Sequence, residues 1–288
     1  MAAAIAHDLD GTPPAWIAAG AWSTAYAFDL DGAPVVLRVG RHGEDFAKDA
    51  IIASAVTNLP VPAVYACGER DGWAYALSAR ASGTALDDLD AAGIEAVLPD
   101  LLDVMDQIGR IEVGGRGYGL WDTSRIGPHS SWAAALLATT EETPRKQGWH
   151  AALVASPVGI EPYRAGVAAL ERLTPDLTDR RCMVHGDLLA RNVLVEDDRI
   201  AAVLDWGNAM FGDPLYDAAW LRNWWPWYDQ WSDVDIEAAI GRKWNPDPRA
   251  IRAYQIHMAL DSMMYCASRG RFDDVARNAD AVLELARR

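Results

Sequence analysis

An α+β fold is expected from this sequence, with a small N-terminal lobe built on an antiparallel sheet and a larger, mainly helical C-terminal lobe. Two observations predict it. Alternating segments closed by tight Asp-Gly turns crowd the chain before Ser82, and segments with helical spacing fill most of its remaining length. The lobes are expected to divide at 1–82 and 83–288.

In chain order, Ala25 to Leu30 alternates, Asp31-Gly32 supplies a two-residue turn, and Val35 to Val39 returns, which makes a hairpin. Glu44 to Thr57 reads as a helix, halted by Leu59-Pro60-Val61-Pro62. A second hairpin comes next, Ala63 to Cys67 and Trp73 to Ser78, turned at Asp71-Gly72. Ser78 to Gly83 leaves the sheet and reads as a hinge. From Pro99 onward, Leu101, Leu102, Met105 and Ile108 keep helical spacing and are expected in the core. Gly114 to Pro128 is an irregular connection, and Ser131-Trp132 opens another helix. Arg181 to Val184 is a short apolar strand; Val193 to Glu196 and Ile200 to Leu204, joined by Asp197-Asp198-Arg199, form a third hairpin. Helices are expected at Leu215–Asn223, Ile236–Gly241, Pro248–Ser268 and Phe272–Arg287.

A chain of 288 residues, 51% apolar, has material for a sizeable core without a further domain. Its net charge of -15 argues against a nucleic-acid partner, which calls for clustered Lys and Arg, and suits a cationic small molecule. Cys67, Cys182 and Cys266 lie far apart and read as buried thiols of a reducing compartment. The N-terminal residues lack the pattern of a signal peptide, and no apolar run is long enough to span a bilayer. The expectation is a cytoplasmic protein with no membrane partner.

The chemistry is concentrated in His185-Gly186-Asp187-Leu188-Leu189-Ala190-Arg191-Asn192, succeeded by Leu204-Asp205-Trp206. Either piece alone is an ordinary turn or a solvated carboxylate. Together, on the open ends of a hairpin, they supply a carboxylate to accept a hydroxyl proton, Asp187, and two oxygen donors for Mg2+, Asn192 and Asp205. These are the parts of a phosphoryl-transfer site.

Val184 to Asn192, Asp205-Trp206 and Phe211-Gly212-Asp213-Pro214-Leu215-Tyr216-Asp217 resemble the aminoglycoside phosphotransferase family, which shares the protein-kinase-like fold. Protein kinases fit less well, because their metal motif is D-F-G where this chain has Asp205-Trp206-Gly207. Within the family, Gly20 to Phe28, Ala209 to Asp213, Trp224 to Trp227 and Phe272 to Ala276 are similar to the branch that modifies hygromycin B. The resemblance implies a bilobal kinase with ATP or GTP as donor, Mg2+ as cofactor and a cationic aminoglycoside, hygromycin B first, as acceptor, conferring resistance. It implies that Gly20 to Thr24, with Ser23 and Thr24, covers the phosphates, and that the backbone of Ser78, Ala79, Arg80 and Ala81 faces the adenine. His185 and Asp213 are expected to support the catalytic loop; Asp213 before Pro214 also reads as a helix N-cap.

One departure concerns the phosphate cation. Such folds place a Lys on the strand matching Val35–Val39 and pair it with a Glu on the next helix; here the strand carries Arg38 and the helix position carries Lys48, beside Asp49. Either Lys48 reaches a phosphate itself, or Arg38 pairs with Asp49 or Glu44.

For the acceptor, carboxylates and aromatic faces suit a polyamine sugar. Trp224, Trp225, Trp227, Tyr228, Asp229 and Asp261 are the candidates, although tryptophans in a helical region commonly belong to the core. Two other functions fit the same residues: a kinase of another small alcohol, such as an amino sugar or metabolite, and a protein that sequesters its ligand without turnover.

Overall fold

The computed structural model describes residues 1–9 and 11–287, with side chains at all of these except Thr140 and Ala190. Among them the order is α1 (Ala2–Asp8), β1 (Ala15–Ala19), β2 (Ser23–Leu30), β3 (Ala33–Gly40), α2 (Gly43–Ala55), β4 (Val64–Arg70), β5 (Trp73–Ala79), β6 (Thr84–Ala85), α3 (Ala91–Ile108) and β7 (Gly119–Leu120). Then come α4 (Trp132–Leu137), α5 (Trp149–Ala155), α6 (Glu161–Leu173), β8 (Cys182–Val184), β9 (Val193–Glu196), β10 (Arg199–Val203), β11 (Met210–Gly212), α7 (Leu215–Trp224), α8 (Ile236–Trp244), α9 (Pro248–Ser268) and α10 (Phe272–Arg287).

The chain forms two compact units. The first joins Met1–Arg116, Leu120–Ile126 and His185–Ala209; the second joins Gly117–Gly119, Gly127–Val184 and the chain from Met210 onward. The fold is α+β, as expected.

The first unit is built on an antiparallel sheet in the order β1-β2-β3-β5-β4. Its two expected hairpins are present, with Asp31 and Asp71 at positive φ and glycines after them, the backbone such turns require. Phe28, Val35, Leu37, Val39 and Leu77 form its core with Ile5 of α1. The hairpin β9–β10 pairs as expected and β6 adds to it, Thr84 opposite Val195.

The fold departs from expectation in several places, and α5, α6, β6, β7 and β11 are among the elements that the sequence did not announce. Strand β1 and helix α1 occur where no element was expected; the Ala-rich Ala15–Ala19 is largely exposed and has no apolar alternation. Helix α3 begins before Pro99, with Asp90 accepting a bond from Gly93 N at 2.9 Å, and carries Pro99 within it. Burial of Ile94, Val97, Leu98, Leu101, Leu102, Val104, Met105 and Ile108 outweighs the roughly 3 kcal/mol that an interior proline costs. Of the three thiols, only Cys266 is buried; Cys67 is exposed on the edge strand β4 and Cys182 is half-buried.

The second unit packs α4 to α7 and α10 around α9, whose Ile251, Tyr254, Ile256, Met258, Leu260 and Met263 are buried nearly all round. Ser131 caps α4 through Ala134 N at 3.1 Å, in keeping with its place before the helix. Strand β11, which pairs antiparallel with β8, completes it.

No helix among the described residues is long and apolar enough to cross a membrane.

Candidate active site

All of the expected phosphoryl-transfer residues fall in the first unit. The loop after β8 turns at Gly186, whose φ of +76° is the left-handed conformation that glycine adopts without a Cβ penalty. His185, before it, is fully buried. Its Nδ1 accepts from Asp187 N at 3.2 Å, so Nε2 carries the proton and donates to Leu204 O at 3.0 Å. Burial lowers its pKa to about 4, which keeps the ring neutral and this bonding pattern intact.

Asn192 is bound to the same loop, its Nδ2 donating to Asp187 O at 3.0 Å. Its own carbonyl accepts from Leu204 N at 2.8 Å, which brings the start of β9 beside the end of β10 and therefore Asn192 beside the next residue, Asp205. Asp205 adopts φ +60° and ψ 71°, an uncommon conformation for a side-chain-bearing residue that is recurrent at functional turns. Asparagine and aspartate thus offer oxygen donors within one cluster, and no sulfur or imidazole nitrogen is among the candidate ligands. That donor set fits Mg2+, which takes one or two protein oxygens and completes its shell with phosphates and water.

The cation ambiguity takes a definite geometric form. Arg38, on β3, is ion-paired with Asp49 of α2, and its Nη1 lies 4.0 Å from Asp205 Oδ1. Burial works to lower the Arg38 pKa, but the attraction of Asp49 and then Asp205 outweighs it and leaves it raised. Burial pushes the Asp49 carboxyl up, against the pull of Arg38. Asp49 Oδ1 also accepts from Trp206 N at 2.8 Å. Lys48, one residue earlier, is buried and donates to Gly207 O at 2.9 Å and Ala209 O at 3.2 Å, with its Nζ 5.1 Å from the Trp121 ring centroid. The helix α2 therefore holds the Asp205 turn by two successive side chains.

Gly20 to Thr24 lies at the bend between β1 and β2, where Gly20 N donates to Ser23 O at 2.9 Å. Ser23 and Thr24 open β2 opposite Gly40 and Val39, next to the Ala25–Arg38 pair. In the hinge, Ser78 and Ala79 remain in β5, and Ala79 N and Arg80 N donate to Ala63 O and Pro34 O at 2.8 and 3.1 Å. Those two donors are committed to the sheet. Ala81 lies beyond it, and Ser82 Oγ donates to Glu196 Oε2 at 2.9 Å.

One residue of the site was not anticipated. Asn208 Nδ2 donates to Asp187 Oδ2 at 3.4 Å. An asparagine three residues past Asp205 carries no recognisable signature by itself, and only the fold brings it to the loop.

In the second unit, Asp213 is fully buried, accepts from Leu215 N at 3.1 Å and receives the Tyr254 hydroxyl at 2.9 Å. It ties the start of α7 to α9. Trp224 and Trp227 are half-buried with ring centroids 5.3 Å apart, and the Arg277 guanidinium lies 3.6 Å from the Trp227 centroid. Trp225 is buried, 4.8 Å from Trp231, and Tyr228 stacks on Trp231 at 4.1 Å; Asp229 is exposed. Asp261 belongs to a different group, ion-paired with Lys146 and felt electrostatically by Tyr216 and His257, whose hydroxyl and Nδ1 are 2.9 Å apart.

A sheet unit that gathers Asp187, Asn192 and Asp205 is the arrangement expected of a phosphotransferase. The pattern of the phosphotransferase enzyme family APH matches residues 16–254, and the chain belongs to that family. It is 32% identical to hygromycin-B 4-O-kinase of Escherichia coli over 89% of this chain and 75% of that protein. Among solved structures, a thermostable mutant of aminoglycoside phosphotransferase APH(4)-Ia in ternary complex with AMP-PNP and hygromycin B superposes with a TM-score of 0.85 at 29% identity, covering 96% of this chain and 94% of that one. Spectinomycin phosphotransferase APH(9)-Ia, at 14% identity and a TM-score of 0.63 over 97% and 93% of the two chains, shares the fold.

Proposed function

We propose that this protein transfers a phosphoryl group from a magnesium nucleotide to a hydroxyl of an aminoglycoside, hygromycin B being the first acceptor to test. The observation that carries the reading is the cluster in which Asn192 is hydrogen-bonded to Asp187 and, through Leu204, sits beside Asp205. The acceptor rests on the E. coli kinase and on the acidic character of the chain, net charge -15.

In this reading Asp187 orients the attacking hydroxyl and accepts its proton, while Asn192 and Asp205 hold Mg2+, which neutralises charge on the phosphate oxygens. The lobe at 1–82, with its hinge, binds nucleotide, and 83–288 carries the catalytic residues and binds acceptor. Ser23, Thr24 and Arg38 face the phosphates, and the segment from Ser78 to Ala81 faces the base. His185 and Asp213 hold the surrounding backbone. Trp224, Trp227, Asp229 and Asp261 are retained as acceptor contacts, the rings for sugar faces and the carboxylates for ammonium groups. An ammonium at Asp261 would have to displace Lys146.

Between the two cations we assign the phosphate to Arg38 and the turn to Lys48. Arg38→Met is expected to raise the nucleotide KM and slow turnover, measured below its unfolding midpoint because Asp49 loses its partner. Lys48→Met strands two carbonyls and is expected to destabilise by roughly 1–3 kcal/mol in denaturant titrations, with the nucleotide KM nearly unchanged. Small and equal KM effects in both variants would leave the loop backbone and the metal as the only phosphate contacts.

Expression in a susceptible bacterium, with growth measured across an antibiotic panel, tests the acceptor. Resistance to hygromycin B that disappears with Asp187→Asn is the expected result. Resistance that persists in that variant would indicate sequestration. Phosphorylation of another small alcohol, with every aminoglycoside refused, would overturn the hygromycin assignment and keep the kinase.

A further inference from the structure

Asp187 is held at three separate points of its structure. Its N–H is bound by His185, its carbonyl by Asn192, and one carboxylate oxygen by Asn208. The first two fix the backbone of the residue. Of these three, the third is to the carboxylate, the group that does chemistry. From this we infer that Asn208 is a positioning residue for the reaction: its amide holds Asp187 Oδ2 and so fixes the rotamer in which the carboxylate meets the acceptor hydroxyl. The inference rests on the reading of Asp187 as the base.

The physical argument starts from the donor inventory. An ionised carboxylate only accepts, and an asparagine Nδ2 only donates, so the contact is favourable in one sense and cannot reverse. At 3.4 Å it is at the long end of hydrogen-bond distances, as contacts of catalytic groups often are before substrate binds. Asn208 is well placed to impose an orientation because its own position is determined. It ends the short turn Trp206–Asn208, whose flanking backbone is gripped by α2: Asp49 takes Trp206 N, and Lys48 donates to Gly207 O and Ala209 O. A side chain on a turn braced from both sides can hold a carboxylate in one rotamer. The same turn begins at Asp205, so the proposed metal ligand and the Asp187 rotamer are set by one piece of backbone.

The test separates this role from a structural one by comparing two substitutions. Asn208→Ala removes the amide, and Asn208→Asp keeps its shape while replacing the donor with a second carboxylate. A role in packing predicts that the isosteric Asp variant is the milder. The positioning role predicts the reverse, since two adjacent carboxylates repel and force one to take up a proton. Turnover of ATP with Mg2+ is measured with hygromycin B and with water alone as acceptor. The expected kcat losses are roughly tenfold for Asn208→Ala and on the order of 10^2-fold for Asn208→Asp, with nucleotide KM within about twofold of the original. In an Asp187→Asn background neither substitution should lower the remaining rate by more than about twofold, because the group it acts through has gone. An Asp variant at least as active as the Ala variant, or an Asn208 loss that carries undiminished into the Asp187→Asn background, overturns the inference and leaves the base reading standing. Near-full turnover of Asp187→Asn by itself would instead remove the base reading, and the inference with it.

Discussion

Asp187→Asn is expected to fold, to bind magnesium nucleotide and to turn over roughly 10^2 to 10^4 times more slowly than the parent chain. The substitution is nearly isosteric. It leaves the main-chain bonds from His185 and Asn192 in place, since those engage the N–H and carbonyl of residue 187 and not its carboxylate. What disappears is a group able to take a proton and to orient the hydroxyl. The measurement is a purified single-turnover and steady-state assay alongside nucleotide binding by calorimetry. A variant with most of its activity intact would take Asp187 out of the chemistry, and a variant that lost nucleotide binding as well would make its role one of architecture.

Asp205→Ala is expected to lower turnover by on the order of 10^2 to 10^3, because a polarising cation stabilises the transition state by several kcal/mol, and to weaken nucleotide binding in the presence of Mg2+. Two other consequences must be separated from this. Alanine is strained at a φ of +60°, whereas aspartate and asparagine tolerate it better. Removing the carboxylate also takes a negative charge away from Asp49, whose pKa it helps to raise, and from Arg38. Asp205→Gly relieves the backbone strain and Asp205→Asn preserves an oxygen without the charge. If metal ligation is the cause, Ala and Gly should be equally poor, Asn should retain part of the rate, and the Mg2+ dependence should flatten in all three. Asn192→Ala should shift the same dependence to a smaller extent. Unchanged Mg2+ dependence in both Asp205→Ala and Asn192→Ala would refute the metal assignment.

Local chemistry made some of this protein readable from its sequence and withheld the rest. The hairpins at Asp31-Gly32 and Asp71-Gly72 were legible because the turn residues and the flanking alternation agree, and α9 because Pro248 opens it after Asp247 and Gly270 follows its end. Ala15–Ala19 was not, since it is mostly exposed and its strand character comes from pairing with β2. The helical spacing noted from Pro99 onward covers only the second half of α3, which carries Pro99 within it on the strength of its buried face. At the site, the spacing of Asp187, Asn192 and Asp205 depends on one hairpin and is local. The pairing of Arg38 with Asp49, the attachment of Lys48 to Gly207 and Ala209, and the approach of Asn208 to Asp187 depend on long-range packing or on a turn without a signature.

The first unit is discontinuous along the chain, and the residues that complete it, His185–Ala209, come after a long excursion through the second. During synthesis the five-stranded sheet can therefore emerge and pair while the loop that completes its site is still unmade. Translation at about 5–20 residues per second puts several seconds between the two events. Until then Arg38 and Asp49 can pair with each other, but Lys48 lacks the Gly207 and Ala209 carbonyls that it binds in the finished unit. A chain halted between these segments would carry the sheet and α2 without the turn that α2 holds in the finished unit.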